Sequence, residues 1–271
     1  MIGIIGQGFV GKAVYNKFKE HYVVYTYDLD ESKCNSSVED TMDNDIVFVC
    51  LPTPMNSDGS CNVSIVDEAI DRISKYGIAK TVVIKSTISP GTTKTLSDHF
   101  TSLELVFNPE FLTEANATED YKNQNRIVLG GSIESTQKVG EIFSVVFPDV
   151  PILKTDSTSA EMVKYLTNTY LANKVSFANE MSELCGGLNI EYNDVINIAT
   201  YDNRLGTSHW MVPGPDGDYG YGGHCFPKDL KALVYISEQL GTTNNVLKAT
   251  SKTNDTIRND RDWERMKGRA I

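Results

Sequence analysis

Short apolar runs alternate with helix-like stretches through the first half of the chain. Ile2 to Ile5, Val23 to Tyr27, Ile46 to Leu51, Val82 to Lys85, Leu105 to Phe107 and Ile127 to Leu129 are apolar at successive positions, as strands buried on both faces of a parallel sheet should be. The stretches between them would supply crossover helices, so the pattern predicts an α/β domain with a doubly wound parallel sheet over residues 1–156. Near Pro148 to Asp156 the texture changes: "FPDVPILKTD" holds prolines and a short apolar run, and the strand signals stop after it. Thr158 and Glu161 then stand at capping-box spacing, and apolar residues recur at Val163, Leu166, Tyr170, Phe177, Met181, Leu184 and Leu188. A helix ending at Gly186-Gly187 would hold roughly 27 residues and run ~40 Å at ~1.5 Å per residue. That length suits a spine for packing or dimerisation. A Gly- and Pro-rich loop from about Gly206 to Pro227 precedes further helical texture. Residues 157–271 thus read as an all-α helical domain built on a long spine helix.

With 271 residues, 40% hydrophobic and 23% charged, the chain fits a soluble globular protein of about two domains. Its formal charge of -11 argues against a nucleic-acid partner held on a broad basic face. No apolar run approaches the ~18 residues of a membrane span, and "MIGIIG" starts without a basic leader, so a cytoplasmic location with no membrane partner is expected. The five cysteines are scattered without a C-x-x-C, and the four histidines have no ligand spacing. Neither a disulfide framework nor a metal site is expected.

Chemistry first appears in "GIIGQGFVGKAV". Gly6, Gly8 and Gly11 follow the first strand, and Asp28 closes the second about 20 residues later, as in the dinucleotide fingerprint of a Rossmann-like domain. Glycines there allow a tight turn and let a pyrophosphate approach a helix N-terminus, while the acid can bond a ribose 2′-hydroxyl. An acid without an adjacent Arg favours NAD over NADP. The expected cofactor site comprises Gly6, Gly8, Phe9, Val10, Gly11 and Asp28. Leu51, Pro52, Thr53, Ser86 and Thr87 join it at the same sheet edge, although the "LPTP" segment could equally be a rigid loop.

A second cluster surrounds "GYGGHCFPKD", Gly220 to Asp229. Cys225 has small, flexible neighbours on one side and a helix start near Pro227 on the other, where a thiolate is favoured and a nucleophile is plausible chemistry. Lys164 and Asn168 are four apart on the spine helix and can bracket one oxygen; an ammonium and an amide aimed there would steady an oxyanion. Glu110 and Glu114, also four apart, offer one carboxylate for binding or structure and one for proton transfer.

"GYGGHCFPKD", together with "AEMVKYLTNTYLANKVSFANE" (Ala160 to Glu180), "KSTISPGT" (Lys85 to Thr92) and "NPEFLTEANA" (Asn108 to Ala117), resembles the UDP-glucose and GDP-mannose dehydrogenase family. The motifs keep the family's order and cover nearly the whole chain. The resemblance implies NAD-dependent oxidation of a nucleotide sugar's C6 primary alcohol to the acid. Two hydride transfers are involved, with a thiohemiacetal and then a thioester on the cysteine. It implies Cys225 as nucleophile, Lys164 and Asn168 on the substrate oxygen, Asp229 positioning Lys164 and water, and Thr87 and Glu114 ordering and activating water. Phe111, Leu112, Arg204, Gly222 and Gly223 would face the substrate, with Arg204 meeting its anionic part, and Glu110 would be a structural or substrate-side contact. Tyr170 would line the sugar pocket or be a core residue, and Lys228 would be a solvated helix-start residue. A homodimer is the expected assembly.

Some features depart from the family pattern. The stretch from Asp28 to Ile46 is short, so a helix and a strand usual there are expected to be missing. The loop "TSHWMVPGPDGDYGYGG" is long. The sequence ends soon after Trp263, where members continue into a third, nucleotide-gripping domain; that domain is expected to be absent, with few contacts for a base unless His209, Trp210 and Met211 on the long loop take over the task. Other readings are a two-electron hydroxyacid dehydrogenase of the 6-phosphogluconate or hydroxyisobutyrate kind, which needs no Cys225, and a catalytically silent NAD-binding dimerisation module.

Overall fold

A computed structural model describes residues 1–76, 80–113 and 116–271. They form two compact units, one of residues 1–53 and 62–164, the other of residues 54–61 and 165–271.

The first unit holds a seven-stranded sheet of β1 (Ile2–Ile5), β2 (Val24–Tyr27), β3 (Ile46–Val49), β4 (Lys80–Ile84), β5 (Leu103–Phe107), β6 (Ile127–Gly130) and β7 (Ile152–Thr155), ordered β2-β1-β3-β4-β5-β6-β7. The helices α1 (Phe9–Phe18), α2 (Val38–Met42), α3 (Ser64–Ser74), α4 (Thr92–His99), α5 (Ala117–Lys122) and α6 (Ile133–Val146) connect them. Alternation along β3 explains why two cores are needed. Ile46 and Phe48 enter one cluster, where Phe48 and Phe143 meet the Phe18 ring edge-on at 5.2 and 5.3 Å, while Val47 and Val49 enter the other with Ile70 and Ile84. Strands covered on both faces in this way must be apolar throughout.

Three expectations for this unit need correction. β6 runs antiparallel to β5, pairing Phe107 with Gly130, so the sheet is mostly parallel rather than wholly so. A seventh strand, β7, follows Pro151; it is an edge strand with Leu153 and Lys154 exposed, so it lacks the doubly buried pattern that revealed the others. Between Asp28 and Ile46 there is no strand, but the short helix α2 is present, with Ser37 accepting the Asp40 N–H at 3.0 Å.

The spine helix is α7 (Ser157–Gly187), 31 residues long. Its start is fixed by Asp156, whose carboxylate accepts the Ser159 N–H at 2.9 Å, and the Thr158/Glu161 capping box does not form. Glu161 is instead buried, and its oxygens accept the N–H groups of Gly91 (2.6 Å) and Thr93 (2.7 Å), capping α4.

The second unit contains the rest of α7 with α8 (Tyr192–Ala199), α9 (Phe226–Gln239) and α10 (Asn245–Ile257). Its apolar clusters are small: Ala178, Cys185, Tyr192 and Trp210 in one, Tyr165, Ala232 and Leu233 in another, and Ala172, Tyr221 and Leu230 in a third. The C-terminal segment folds back, burying Trp263 and Ala270, and Ala270 O accepts the Met55 N–H at 2.9 Å. Leu166, Tyr170, Phe177 and Leu184 form an exposed stripe along α7, continued by exposed Leu188 just past its end. Among the described residues no helix is long and apolar enough to cross a membrane, and no group of His, Cys, Asp and Glu could hold a metal.

Candidate active site

The first crossover is built for close approach. Gly6 has φ 90°, and a Cβ there would fall 2.4 Å from Cys50 O; one on Gly11 would fall 1.8 Å from Gly6 O. Space next to Gly8 is open, and Gly8 caps α1 with no side chain bonded over the helix N-terminus. That open space gives an anion room to approach the positive end of the helix. Phe9 and Val10 are half-buried in the first turn. Asp28 accepts the Gln7 N–H at 2.6 Å through one oxygen and the Asp30 N–H at 2.9 Å through the other, fixing the carboxylate beside the loop; each oxygen keeps a further lone pair for a hydroxyl. An NAD fits these residues. The next crossovers are tied to one another: Ser86 Oγ accepts the Leu51 N–H at 2.9 Å, and Thr53 Oγ1 donates to Thr87 O at 2.6 Å. Pro52 is exposed between them.

Beneath this edge lies a buried ionic cluster. Lys164 Nζ donates to Glu110 O (2.6 Å) and Oε1 (2.9 Å), so the carboxylate that meets Lys164 in this unit is one for which the resemblance implied a structural or a substrate-side role. Burial pushes the Glu110 carboxyl up, but Lys164, the Leu112 N–H at 2.7 Å and Lys85 outweigh it and leave it below its ordinary value. Phe111, half-buried, stacks under the Arg126 guanidinium, 4.1 Å from its ring centre. Lys85 Nζ donates to Asn108 Oδ1 at 2.7 Å, and burial pulls its pKa down to about 8. Cys50 is pushed up to about 12 by burial, leaving it a neutral thiol. Glu114 lies outside the described residues.

In the second unit Cys225 occupies the N-cap of α9 with Pro227 in the first turn, and the thiol is half-buried. Asp229 links two neighbours, accepting from Asn168 Nδ2 at 2.6 Å and from Lys228 Nζ at 2.6 Å. Lys228 was expected in solvent, yet its side chain is only 10% exposed. Burial works against its charge, but Asp229, Cys61 and Cys225 outweigh that cost, and its pKa rises. Gly222 and Gly223 are half-buried just ahead of the cysteine.

Arg204 has a side chain 89% exposed and pairs with Asp202. Tyr170 is 57% exposed on the α7 stripe and is not a core residue. Trp210 is buried, donating to Gly206 O at 2.9 Å with Lys174 Nζ 4.6 Å from its ring centre, and so presents no free face to a base.

The doubly wound sheet, the glycine crossover with its acid, and a cysteine at a helix N-cap close to a buried Lys–Asp pair define a dinucleotide-binding protein of dehydrogenase type. Residues 14–147 match the NAD binding domain of the UDP-glucose/GDP-mannose dehydrogenase family, and residues 158–256 match its central domain. The chain belongs to that family. It is 37% identical over 219 residues to the UDP-glucose 6-dehydrogenase YwqF of Bacillus subtilis, covering 78% of this chain and 48% of that protein. Among solved structures, a UDP-glucose dehydrogenase from Pyrobaculum islandicum superposes with a TM-score of 0.86 at 28% identity, covering 94% of this chain and 68% of that one. A Mycobacterium tuberculosis 3-hydroxyisobutyrate dehydrogenase shares the fold, with a TM-score of 0.75 at 16% identity over 93% of this chain and 91% of that one. The chain spans about half the length of the curated relatives it matches.

Proposed function

We propose that the protein is a cytoplasmic, NAD-dependent dehydrogenase that oxidises the C6 primary alcohol of a nucleotide sugar of the UDP-glucose type to the carboxylate. The observation that carries this reading is Cys225 at the N-cap of α9, next to the buried Lys228–Asp229 pair. A helix N-terminus and a neighbouring ammonium both favour the thiolate. NAD, when bound, would supply the hydride acceptor, a fresh molecule for each of the two oxidations. The first removes a hydride and a proton from the alcohol and leaves an aldehyde. The Cys225 thiolate adds to the aldehyde carbon, and the new oxyanion takes a proton to give a thiohemiacetal. Loss of the second hydride and that proton leaves a thioester; water adds, the C–S bond breaks, and the acid departs as the thiolate returns.

Lys164 and Asn168, one turn apart on α7, would hold the reacting oxygen. Asp229 fixes the Asn168 amide by taking one of its N–H bonds, and Glu110, kept ionised, orients the Lys164 ammonium. Thr87 and Glu114 would order the hydrolytic water. Phe111, Leu112, Gly222 and Gly223 would face the sugar, Arg204 would meet the anionic part of the substrate, and Tyr170 would line the pocket. The exposed α7 stripe is proposed as the homodimer contact.

The two-electron hydroxyacid reading has no use for a placed thiolate. A substrate panel separates the readings. NADH should form with UDP-glucose or another nucleotide sugar and not with 3-hydroxyisobutyrate or 6-phosphogluconate; the reverse pattern would overturn the proposal.

A further inference from the structure

The glycines before Cys225 look in the sequence like flexible neighbours of a thiol, yet their backbone is gripped from a distant part of the chain. Asn254 on α10 is 2% exposed. Its Oδ1 accepts the Tyr221 N–H at 2.7 Å and its Nδ2 donates to Tyr221 O at 3.0 Å, so one side chain satisfies both polar groups of one residue. Asp262 accepts the Gly223 N–H with both oxygens, each at 3.1 Å. Arg258, its side chain 3% exposed, donates to Tyr219 O at 3.4 Å and is held by Asp216 at 2.6 Å. Asp218, from the same loop, accepts the N–H groups of Asn259 (3.2 Å) and Asp260 (2.8 Å).

This grip accounts for the glycines. A Cβ on Gly222 would lie 2.4 Å from Arg258 Nη2 and 2.5 Å from Asp262 Oδ1, and one on Gly220 would lie 2.3 Å from Asn254 Oδ1. The clamping residues come from the last turn of α10 (Asn254), its extended C-cap (Arg258) and the start of the short 3-10 turn that follows (Asp262), and between them they hold the loop from Tyr219 to Gly223.

We infer that Asn254, Arg258 and Asp262 are positioning residues: they clamp Tyr219 to Gly223 so that Cys225 is delivered to the start of α9 in one fixed orientation. This rests on the assignment of Cys225 as the nucleophile. A loop rich in glycine loses much conformational freedom on ordering, and polar bonds to its backbone offset that loss. A thiol displaced by about 1 Å would lose reactivity out of proportion to any loss of substrate binding.

The test uses the full chain and the variants Asp262→Ala, Asp262→Asn and Arg258→Lys. Two readouts are followed, the pH dependence of Cys225 alkylation by iodoacetamide, resolved by peptide mass, and steady-state acid formation. In Asp262→Ala the alkylation midpoint should move up, because the thiol leaves the helix N-terminus. Merely deleting a nearby negative charge would move it down. Acid formation should lose about tenfold or more in kcat with KM within about twofold. Asp262→Asn, which keeps an acceptor for Gly223, should restore most of both. If Asp262→Ala fails to fold, Arg258→Lys, which retains charge but not the fork, should show the same upward shift in weaker form. An unchanged or lowered midpoint in the folded variants would overturn the clamp. If the parent chain forms no acid from any nucleotide sugar, the function is wrong, and the alkylation profiles still decide the clamp.

Discussion

Asp28 shows how much one side chain can be asked to do. It holds the glycine loop through the Gln7 N–H and keeps lone pairs for a ribose. Asp28→Ala should therefore cost about 1.5–3 kcal/mol of NAD affinity, the range for a charged hydrogen bond, and should narrow the preference over NADP by removing a repulsion. Titration calorimetry with each cofactor checks this, and equal affinities before and after would place the ribose elsewhere. Residues of this kind were legible in the sequence because their signal is local: three glycines, a strand before them and an acid after the next strand. Cys225 at a helix start was legible for the same reason, with Pro227 marking the first turn. Lys228 was not, since burial is a property of what packs against a residue, and neither was the pairing of Lys164 with Glu110, 54 positions away.

Elements carry the next layer. Glu161 sits at capping-box distance from Thr158, yet the helix it belongs to is capped by Asp156, and Glu161 caps α4 instead. Local spacing could not reveal this, because the competing donors, the Gly91 and Thr93 N–H groups, come from another element. Glu161→Ala should cost about 2 kcal/mol or more by orphaning those donors, with Glu161→Gln costing less, as read from urea unfolding. Burial raises the Glu161 pKa against the opposing bonds from Thr93 and Gly91. The folded state then binds a proton more readily than the unfolded chain. Its contribution is full below the ordinary carboxylate value and declines as pH rises through the raised value. Glu161→Gln should remove that slope from the stability profile. The strand β7 escaped sequence reading for a related reason: an edge strand half in solvent need not be apolar at every position.

At the scale of the whole molecule, the α/β half followed by a helical half was written in a change of periodicity near Pro148. The antiparallel turn into β6 was not, because a buried strand has the same composition in either direction. The stripe of Leu166, Tyr170, Phe177, Leu184 and Leu188 had the spacing of a packed face but lies exposed, with Leu166 at 59%. A contiguous exposed apolar face marks an interaction surface, so Leu166→Glu should convert a dimer to monomer in sedimentation; an unaltered mass would remove α7 from the interface. The central claim is covalent catalysis by Cys225, and it is tested most directly by comparing the parent chain with Cys225→Ser in the presence of NAD and the active nucleotide sugar. The parent should yield about two NADH for each acid, the stoichiometry of two hydride transfers, and the variant should bind NAD as before while acid formation collapses, serine being a poorer nucleophile and leaving group. Normal acid production by Cys225→Ser would contradict the account.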